Sequence, residues 1–560
     1  MKMTGGQALA QQLVREGVTD VFGVPGLQLD WALDGLRQVQ NRIRFTVTRH
    51  EQAASYMADG YARTTDRLGV CMVVPGPGLL NALSGLATAY ACNSPVLCIS
   101  GNIHSGGIGK NRGLLHEINN QSGVLAAVTK WQGVARSPRE IPSIVREAVK
   151  QMRSGRPRPA GIEIAHDVLS ASDEVELIDP PADEDGRLAP QPRAIDEAVA
   201  LLASARFPVI YAGGGVIASR ASEALARLAD RLQAPVVMSD HGRSALPDTH
   251  PLALNTLGGR AVFPHADVVL AVGTRFVDIN QGNPVWSGGA KHYIFLNVNP
   301  EDWSPPRAPG LTIHADARLG LEALADSLPQ RAVASRAGDV ARVRAWAEQQ
   351  AATLEPLPSW TRVLRRAIPD DGIFVMDLTM AGYFSRLMYP NHAPYTFVTP
   401  GYQGTLGFGY GAALGAAAGN PGRAVVCVSG DGGFGWNMTE LSTARAYNLG
   451  VVAIVFNDRG YGNVRLTMKQ QFGEAYGADL VNPDYGKLAG AFDIPFAGVD
   501  TPEALESALK AAIAKGGPAL IEVRLGSLPN AWSLFRLQPA PFSKTTTPPP
   551  PNPLGEPPAA

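Results

Sequence analysis

The stretch RAVVCVSGDGGFGWNMTELSTARAYNLGVVAIVFNDRGYGNV, residues 423–464, decides the fold class of this 560-residue chain. It begins with a valine-rich apolar run, continues into a segment with helical spacing, WNMTELSTARAYNLG, and ends on a second apolar run, VVAIVF. Two buried strands joined by one helix form a parallel pair with a single crossover. The stretch therefore predicts an α/β domain in which helices cover a parallel sheet.

Polar residues follow both predicted strands at the point where each strand ends. The tetrapeptide GDGG, with Asp431 inside it, follows the first strand, and Asn457 and Asp458 follow the second. Open parallel sheets bind ligands at this edge, and glycines let the backbone approach a diphosphate closely. Mg²⁺ is held by one or two protein oxygens together with phosphate oxygens. The pattern predicts a magnesium–diphosphate site; the simpler alternative is a Gly-rich turn followed by a polar loop.

The same alternation of short β-branched runs and helical stretches repeats in three blocks. An acidic, Pro-rich segment at residues 173–192 separates the first two blocks, and a helical stretch ending in EPLP, residues 332–358, separates the last two. We therefore predict three α/β domains, each with a mostly parallel sheet flanked by helices, at residues 1–172, 190–332 and 357–530. Residues 538–560 are a Pro-rich tail, which predicts a linker, a polyproline segment or a strap.

Composition argues against two classes of partner. The 49 Lys and Arg residues nearly balance the 50 Asp and Glu residues, so no global field attracts nucleic acid or an anionic membrane. No apolar run is long enough to span a bilayer, and the first residues lack the apolar stretch of a signal peptide. The 4 cysteines form no CxxC pair, which is typical of reduced thiols. We expect a cytoplasmic protein without a nucleic-acid or membrane partner.

The stretch 423–464, preceded by GTLGFGYGAALGAAAGNPG, resembles the fingerprint of thiamine-diphosphate enzymes: GDG, about two dozen residues, and an Asn-led turn. The wider context is similar to the acetohydroxyacid synthase branch, which includes pyruvate oxidases and oxalyl-CoA or 2-hydroxyacyl-CoA lyases. The resemblance covers nearly the whole chain outside the Pro-rich tail. It implies thiamine diphosphate and Mg²⁺ as cofactors, a domain order of pyrimidine-binding, central and diphosphate-binding, and a homodimer or homotetramer with active sites between subunits.

The resemblance also assigns the cofactor contacts. Asp431 is an implied metal ligand, and alignment through YGNV puts the family's ligand Asn on Asp458, with Asn457 as the alternative ligand. The backbone carbonyl of Gly460 is the implied third ligand, and an aspartate at position 458 adds a negative charge beside the diphosphate. The implied cofactor-binding residues are Pro25, Glu51, Pro75, Asn81, Thr379, Gly404, Leu406, Gly430, Asp431, Gly432, Gly433, Asp458, Gly460, Tyr461 and Gly462.

The segment RHEQAASYMADGYAR, residues 49–63, carries the implied activating residue, Glu51, in the first turn of a predicted helix. In the family an equivalent glutamate hydrogen-bonds N1′ of the aminopyrimidine and favours the imino tautomer, whose 4′-nitrogen removes the C2 proton. A buried carboxyl with a raised pKa suits this role. The alternative for Glu51 is a helix-start glutamate favoured by the macrodipole.

Two further segments resemble the family's contacts to the pyrimidine half of the cofactor. VPGPGLLNALSGLATAY, residues 74–90, is similar to the helix that closes over the pyrimidine. Leu406 matches the large aliphatic residue that holds the cofactor bent, which brings the 4′-nitrogen near C2. The carbonyl of Gly404 is the implied acceptor for the 4′-amino group. Core packing is the alternative role of Leu406.

The substrate side departs from the synthase pattern. The family's Phe-Gln-Glu is here LHE, so His116 replaces a glutamine, while the lysine of VTKW is kept. The synthase segment GMVRQWQ is here GNVRLTM, which loses a methionine and a tryptophan, and in DLTMA only Thr379 remains as a donor toward the diphosphate. His116 is either catalytic or a structural hydrogen-bonding residue. The candidate catalytic residues are Glu51, His116 and Glu117, and the candidate substrate contacts are Leu115, Lys130, Arg275, Asn463 and Thr467.

The middle block carries GGGV at residues 213–216 and GTRF at residues 273–276. GGGV lacks the G-x-G-x-x-G spacing of a dinucleotide fingerprint. In acetohydroxyacid synthases the corresponding domain holds a FAD that the redox-neutral reaction does not use, and in the coenzyme-A branch it holds an ADP moiety. Arg275 could meet a phosphate or a substrate carboxylate, and a purely structural middle domain is the third alternative.

Three functions fit these residues. The first is an acetolactate-synthase-like decarboxylase and carboligase on 2-oxo acids. The second is a 2-hydroxyacyl-CoA lyase or oxalyl-CoA decarboxylase-like enzyme on acyl-CoA thioesters, with the Pro-rich tail as a lid. The third is a non-catalytic binding subunit, against which the presence of Glu51 and Asp431 argues. The substrate is then a small 2-oxo acid, an aldehyde or an acyl-CoA.

Overall fold

The computed structural model describes residues 1–181, 186–276, 292–303, 310–330, 332–535 and 550–556. In these ranges the chain forms three six-stranded parallel sheets and one two-stranded sheet. The predicted fold class, an α/β chain with three parallel sheets flanked by helices, is confirmed. Within the same ranges no helix is long and apolar enough to cross a membrane.

The N-terminal domain builds the first sheet. Its strands are β1 (Lys2–Thr4), β2 (Asp20–Gly23), β3 (Arg44–Val47), β4 (Gly69–Val73), β5 (Val96–Asn102), β6 (Trp131–Ala135), β7 (Ala160–Ala165) and β8 (Ser172–Glu174). Its helices are α1 (Gly5–Arg15), α2 (Asp30–Gln38), α3 (Glu51–Thr64), α4 (Pro77–Cys92), α5 (Gln121–Ala126), α6 (Ile141–Arg153) and α7 (His166–Ser170). The parallel sheet has the order β3-β2-β4-β5-β7-β6.

Successive residues of β4 show why this sheet is apolar on both faces. Cys71 and Val73 belong to the hydrophobic cluster that contains α3 and α4, whereas Val70 and Met72 belong to the cluster that contains α1 and α6. Neighbouring side chains of a strand point to opposite faces, so each face needs its own layer of helices. The near-continuous apolar run LGVCMVV is therefore a doubly covered strand.

The acidic, Pro-rich segment 173–192 has no periodic apolar pattern, but its first residues belong to strand β8. β8 pairs antiparallel with β1, with Lys2 opposite Glu174, and the amino group of Met1 donates to the carbonyl of Val175 at 2.9 Å. This pairing joins the two ends of the N-terminal domain. The local composition of β8 does not indicate a strand, because its partner β1 lies about 170 residues away.

The central domain builds the second sheet. Its strands are β9 (Pro208–Ala212), β10 (Val236–Met238), β11 (Ala253–Asn255), β12 (Val268–Val272), β13 (His292–Asn297) and β14 (Leu311–His314). Its helices are α8 (Pro192–Ser204), α9 (Gly214–Ala218), α10 (Ser222–Leu232), α11 (Thr256–Val262) and α12 (Ala317–Ser327). The strand order β11-β10-β9-β12-β13-β14 places β9 and β12 side by side at the point where the order reverses.

The predicted helix between the second and third blocks is α13 (Ala337–Ala352), and the C-terminal domain follows it. The strands of that domain are β15 (Ile373–Met376), β16 (Phe397–Val398), β17 (Val425–Gly430), β18 (Val451–Asn457), β19 (Phe496–Val499) and β20 (Ala519–Arg524). Its helices are α14 (Leu357–Ala367), α15 (Met380–Met388), α16 (Phe408–Gly419), α17 (Asp431–Asn437), α18 (Leu441–Ala446), α19 (Gly462–Phe472), α20 (Tyr485–Ala491), α21 (Pro502–Lys515) and α22 (Trp532–Phe535).

The third sheet has the order β16-β15-β17-β18-β20-β19. β17 and β18 pair in parallel with Gly430 beside Phe456, so their carboxyl ends lie next to each other. The predicted parallel pair with one crossover is confirmed. The crossover helix begins earlier than predicted, at Asp431, and breaks between α17 and α18.

The N-terminal and C-terminal domains share one core through α3 and α16. A Cβ on Gly60 would lie 2.0 Å from the carbonyl oxygen of Ala412, and a Cβ on Gly415 would lie 1.9 Å from that of Met57. The two helices therefore touch backbone to backbone, which only glycine permits. Helix α16 is buried on nearly all sides, as its almost purely apolar and small composition requires.

Residues 550–556 of the Pro-rich tail form a turn against the central domain. Asn552 Nδ2 donates to the carbonyl of Ala261 at 3.0 Å, and Leu554 packs on the central core. Residues 538–549 and 557–560, where the rest of the predicted tail falls, lie outside the described residues. The described part contains neither helix nor strand, as its proline content indicates.

Candidate active site

Two carboxylates face each other at the carboxyl edge of the C-terminal sheet. Asp431 begins α17 directly after β17, and Asp458 follows β18. Burial and the neighbouring Asp431 charge raise the pKa of Asp458 to about 6, while the Arg465 guanidinium acts in the opposite direction. Two such groups repel each other unless a proton or a cation lies between them. Their chemistry fits a divalent cation with oxygen ligands.

The side chain of Asn457 is directed away from this pair. Its Nδ2 donates to Glu522 Oε1 at 2.7 Å, and its Oδ1 accepts from Asn482 Nδ2 at 2.9 Å. Asp458, not Asn457, interacts with Asp431. The geometry therefore favours the alignment that assigns the ligand position to residue 458.

Asp431 is held by two donors. Its Oδ2 accepts from the backbone N–H of Gly460 at 2.9 Å and from Asn482 Nδ2 at 2.6 Å. Asn482 was missed by the sequence reasoning because it lies in a loop without regular pattern, 51 residues after Asp431. It joins the ends of β17 and β18, because it donates to both Asp431 and Asn457.

The carboxylate pair predicts a pH dependence of the metal-free protein. The unfolded chain binds a proton at Asp458 with a pKa of about 3.9, whereas the pKa in the folded protein is about 6. The protonated group therefore contributes stability below about pH 4 that is lost as the pH rises through about 6. We compare the unfolding temperatures of wild type and Asp458→Asn in the presence of a chelator. The temperature of wild type minus that of the variant should decrease between about pH 5 and pH 7. A difference that stays constant over this range would contradict the interpretation.

Three helix N-termini lie at the same edge of the sheet, because β15, β17 and β18 are neighbours. Thr379 precedes α15, Gly430 precedes α17 and Tyr461 precedes α19. The side chain of Thr379 makes no capping hydrogen bond to its own helix. Backbone N–H groups at helix N-termini, together with the helix dipole, favour phosphate groups. The edge is thus suited to a diphosphate above the carboxylate pair.

Two glycines of the GDGG turn also have close protein neighbours. A Cβ on Gly432 would lie 2.8 Å from the ring of Tyr461, and a Cβ on Gly433 would lie 2.9 Å from Asp377 Oδ2. Because these two glycines have no side chain, the Tyr461 ring and the Asp377 carboxylate can lie close to their Cα atoms. Asp377, which sequence reasoning did not select, is buried and accepts from Ser429 Oγ at 2.9 Å, so it ties β15 to β17.

Gly404 and Leu406 precede α16 in an irregular segment. Gly404 has a φ of 58°, a left-handed conformation that favours glycine. Leu406 is half-buried and belongs to none of the four hydrophobic clusters formed by the described residues. Leu406 is thus not part of a hydrophobic core among the described residues, and both of its alternative roles stay predictions.

Glu51 begins α3 and is bonded to a residue of α4. Asn81 Nδ2 donates to Glu51 Oε2 at 3.0 Å, and a Cβ on Gly78 would lie 3.4 Å from Oε1. Glu51 is half-buried. The two other implied contacts of this domain differ in exposure, because Pro75 is buried beside α4 whereas Pro25 is exposed in the turn after β2.

Within one chain, the described side chains of Glu51 and Asp431 are not bonded to each other, by either a hydrogen bond or an ion pair. The start of α3 is held instead by Glu440, whose carboxylate accepts from the backbone N–H groups of Arg49 and His50 at 3.0 and 3.1 Å. Burial raises the pKa of Glu440. Sequence reasoning missed this residue because its partners lie 390 positions away.

The Leu115–Glu117 segment lies on an exposed loop of the N-terminal domain. Leu115 is 61% exposed, and His116 adopts a left-handed backbone conformation with a φ of 69°. The carboxylate of Glu117 accepts from the backbone N–H of Leu114 at 2.9 Å, so it stabilises its own loop. His116 Nδ1 lies 3.0 Å from Gln28 Oε1, a partner that the sequence did not indicate.

Asn463 and Thr467 lie on the first turns of α19, next to the Asp458 loop. Asn463 Oδ1 accepts from the indole N–H of Trp532 at 2.8 Å, and Thr467 Oγ1 donates to the backbone carbonyl of Asn463 at 2.9 Å. The Trp532 ring packs on Tyr383 at a centroid distance of 4.6 Å. Both rings border a cavity of about 150 Å³ that Gly404 also lines. Trp532 escaped sequence reasoning because it precedes the Pro-rich tail in a segment without a motif.

Lys130 has a different environment from the expected substrate contact. Its Nζ donates to the backbone carbonyls of Gln151, Ser154 and Arg156 at 2.9, 2.5 and 3.2 Å. An ammonium group has three N–H donors, and all three are used. Burial lowers the pKa of Lys130, with smaller contributions from nearby arginines. The residue closes the C-terminal end of α6, and this structure gives no support for its role in substrate binding.

A cavity of about 510 Å³ opens at the carboxyl ends of β9 and β12. Arg275 lines it and stacks over the Tyr402 ring at 4.8 Å. All three domains contribute to its wall, and the lining includes Asn93, Arg156, Gly214, Asp240, His241, Arg260, Arg275, Asp302, Arg386 and Tyr402. Burial and the nearby arginines lower the pKa of His241 to about 3, so this side chain is neutral at physiological pH.

Comparison with known families assigns all three parts of the chain to one family. Residues 3–124 match the N-terminal TPP binding domain of the thiamine pyrophosphate enzymes. Residues 195–324 match the central domain of that family, and residues 379–523 match its C-terminal TPP binding domain.

The relatives that match nearly the whole chain are named either as acetolactate synthases or as a 2-ketoarginine decarboxylase. A protein of Pseudomonas aeruginosa named probable 2-ketoarginine decarboxylase is 36% identical over 538 residues, which cover 93% of this chain and 94% of the relative. An acetolactate synthase of Arthrospira platensis is 31% identical over 558 residues, 94% of each chain. The acetolactate synthase isozyme 3 large subunit of Escherichia coli is 30% identical over 535 residues, 91% of this chain and 92% of the relative.

Proposed function

Because the chain belongs to the thiamine pyrophosphate enzyme family, we propose that it is an acetolactate-synthase-like decarboxylase and carboligase acting on 2-oxo acids. The observation that carries the proposal is the Asp431–Asp458 carboxylate pair at the sheet edge where three helices begin, which fits a magnesium diphosphate. The names of the relatives, acetolactate synthases and a 2-ketoarginine decarboxylase, support the reaction class.

Thiamine diphosphate, when bound, supplies a carbon nucleophile that adds to a ketone and stabilises the electron pair left by departing CO₂. The chain's own residues hold that group and control protons around it. Asp431 and Asp458 are the proposed side-chain ligands of Mg²⁺, with the carbonyl of Gly460 as the third protein ligand. Thr379 and the backbone N–H groups of Gly430–Gly433 are the proposed donors to the diphosphate. Glu51 is the proposed partner of the pyrimidine nitrogen.

The ligand assignment predicts different outcomes for neighbouring variants. Asp458→Ala removes a proposed ligand, so we expect Mg²⁺ to activate it only at concentrations about tenfold or more above those for wild type. Asn457→Ala should shift the activating concentration less, because Asn457 bonds to Glu522 and Asn482. Asp458→Asn keeps an oxygen ligand and removes the extra charge, so it should bind the cofactor at least as well as wild type. Magnesium titration of activity measures all three, and greater damage from Asn457→Ala than from Asp458→Ala would overturn the assignment.

We also propose that a second copy of the chain completes each site. Large apolar side chains are exposed on both the N-terminal and the C-terminal domain, and contact with a second copy would remove them from water. On the N-terminal domain they are Leu27, Leu80, Ile108, Leu114 and Leu115; on the C-terminal domain they are Trp436, Val464, Phe472, Tyr476 and Val481. The proposed assembly is a homodimer or homotetramer in which Glu51 and Asp431 of each site come from different copies, as the resemblance to the family implies.

The substrate side supports a 2-oxo acid with a polar side chain. His116, Asn463 and Thr467 stand where the synthase pattern has a glutamine, a methionine and a tryptophan. A substrate with polar groups can form hydrogen bonds with these side chains. An apolar analogue leaves the side chains without partners and therefore binds much more weakly. The test is a panel of 2-oxo acids, pyruvate and 2-ketoarginine among them, and of oxalyl-CoA and 2-hydroxyacyl-CoA thioesters, with products identified by mass spectrometry. We expect CO₂ and a product from at least one free 2-oxo acid. Products from coenzyme-A thioesters alone would replace the proposal with the acyl-CoA alternative.

The central cavity supports a second, narrower proposal. Its position at the reversal point of the strand order and its arginine-rich wall are typical of nucleotide phosphate sites. An ADP moiety, whether of FAD or of coenzyme A, fits the chemistry of this wall. Calorimetric titration with ADP, FAD and coenzyme A tests it, with Arg275→Ala as the matched variant. Binding by none of the three would leave the middle domain with a structural role.

We propose a cytoplasmic location from the thiols. Cys71, Cys98 and Cys427 are buried and unpaired, and Cys92 is half-buried and unpaired. Free thiols persist in reducing compartments. Cell fractionation with an antibody to the protein tests this location, and recovery in an oxidising compartment would contradict it.

A further inference from the structure

Gln28 connects the turn after β2 to the loop that carries His116. It is 7% exposed, and both ends of its amide are used. Its Nε2 donates to the backbone carbonyl of Leu115 at 3.1 Å, and its Oε1 lies 3.0 Å from His116 Nδ1. One buried side chain therefore holds both the backbone and the ring of adjacent loop residues.

The chemistry of these groups determines which nitrogen of His116 carries a proton. A backbone carbonyl only accepts hydrogen bonds, so the amide atom of Gln28 that meets Leu115 is the nitrogen. The oxygen of the same amide then faces Nδ1, and because it also only accepts, Nδ1 must be the N–H donor. In a neutral imidazole the other nitrogen, Nε2, is then the one with the lone pair.

Nε2 of His116 is open to the surface. Among the described residues this nitrogen has no hydrogen-bond partner. The described side-chain atoms that are both buried and without a partner do not include it, so it is exposed. A nitrogen with an available lone pair on a half-buried ring can accept a proton from a molecule that binds beside it.

The backbone around His116 is held in a conformation that the residue does not favour. Its φ of 69° is left-handed. A Cβ on Gly76 would lie 2.4 Å from the carbonyl oxygen of His116, so the start of α4 packs directly on this loop. The N–H of Gly76 donates to Gln121 Oε1 at 3.1 Å, which fixes that start. Such conformations persist only where the surroundings impose them, and they are concentrated at functional sites.

We propose that Gln28 is a positioning residue, which holds His116 with its proton on Nδ1 so that Nε2 is the proton acceptor of the substrate side. The inference deepens the proposed function and rests on it. When a hydroxyl on the reacting carbon becomes the carbonyl of the released product, its O–H electron pair forms the C=O π bond. The electron pair of the breaking carbon–carbon bond stays with the other fragment, and the proton moves to Nε2. In carboligation the protonated Nε2 returns that proton to the acceptor's carbonyl oxygen.

The tautomer is tested directly by ¹⁵N NMR of histidine-labelled, full-length protein, with the His116 signals assigned by their absence from His116→Gln. In the neutral ring, wild type should show a non-protonated Nε2 and a protonated Nδ1. Gln28→Met removes the acceptor and should lose this preference. Gln28→Glu keeps an acceptor opposite Nδ1 and should retain it. Protonation of Nε2 in neutral wild type would overturn the proposal.

Activity provides the second readout. With a 2-oxo acid that the wild type converts, Gln28→Met should lower kcat about tenfold, a common effect when the partner that orients a histidine is removed. KM should change much less, and Gln28→Glu should recover most of kcat. The matched control is Gln12→Met, because Gln12 is a buried glutamine of the same domain that donates to a backbone carbonyl, that of Ile178. Gln12→Met should lower the stability of the protein but leave kcat and the NMR signals of His116 unchanged.

Two results separate the possible failures. Wild-type kcat in Gln28→Met or in His116→Gln would overturn the role of the pair in catalysis. If wild type converts no 2-oxo acid at all, the proposed function fails, and the NMR measurement still decides the tautomer.

Discussion

Glu51→Gln is expected to lower kcat by a factor on the order of 10² or more while thiamine diphosphate and Mg²⁺ still bind. A factor of 10² corresponds to about 2.7 kcal/mol of lost transition-state stabilisation. The glutamine keeps the size of the side chain and can still bond to Asn81 on α4. It cannot share a proton with the pyrimidine nitrogen, which is the role proposed for Glu51. Turnover of purified variant and wild type at saturating cofactor measures the effect.

The control for Glu51→Gln separates chemistry from helix stability. Glu503 also lies in the first turn of a helix, α21, and is exposed, so Glu503→Gln removes the same favourable charge from a helix start. Glu503→Gln should retain wild-type turnover. Exchange of the C2 proton of bound cofactor, followed by NMR, should slow in Glu51→Gln in parallel with kcat. Wild-type exchange in Glu51→Gln would show that this carboxyl is not the activating group.

Asp431→Ala is expected to abolish binding of both Mg²⁺ and thiamine diphosphate, because Asp431 would hold the ion that neutralises the diphosphate charge. The variant also leaves Asn482 and the N–H of Gly460 without their shared acceptor. Ligand at about 100 times its Kd stabilises a folded protein by about 2.7 kcal/mol. Wild type should therefore unfold at a clearly higher temperature when both cofactors are added, and Asp431→Ala should show no such increase.

Asp500→Ala is the matched control, because Asp500 is an exposed aspartate of the same domain. It should respond to the cofactors as wild type does. An equal thermal shift in Asp431→Ala and wild type would remove Asp431 from the metal site. Loss of the shift in both variants would point to a general defect of the domain.

The two inactive variants together test the assembly. If each site takes Glu51 from one copy and Asp431 from another, a mixed dimer of Glu51→Gln and Asp431→Ala chains contains one intact site and one doubly altered site. Random exchange of subunits should then restore about a quarter of the wild-type sites. Unfolding and refolding the variants separately before mixing is the control, and it should restore none. Absence of recovery after verified subunit exchange would indicate a site within one chain.

Much of the fold could be predicted because buried parallel strands are continuous apolar runs. β4, β17 and β18 are each covered on both faces, and their sequences are distinctive. Strands such as β16, with 2 residues, and β19, with an exposed glycine, carry too little apolar pattern to be recognised. β8 could not be predicted for a different reason, since its pairing with β1 depends on a contact between distant parts of the chain.

The candidate site likewise contains residues that the sequence could predict and residues that it could not. Asp431, Asp458 and Glu51 follow strands or begin helices, so their positions follow from local pattern, and their roles stay predictions. Gln28, Glu440, Asn482 and Trp532 act through partners far along the chain and carry no motif. Lys130 is the converse case, because the resemblance selected it as a substrate contact while its ammonium group bonds to backbone carbonyls at the end of α6.

The most direct measurement is CO₂ release from 2-oxo acids by wild-type protein that has been stripped of cofactors with a chelator and gel filtration. We predict no release from the stripped protein, little with Mg²⁺ or thiamine diphosphate alone, and full release from at least one 2-oxo acid when both are returned. Release that does not depend on the two cofactors, or no release from any 2-oxo acid in their presence, would contradict the proposed function.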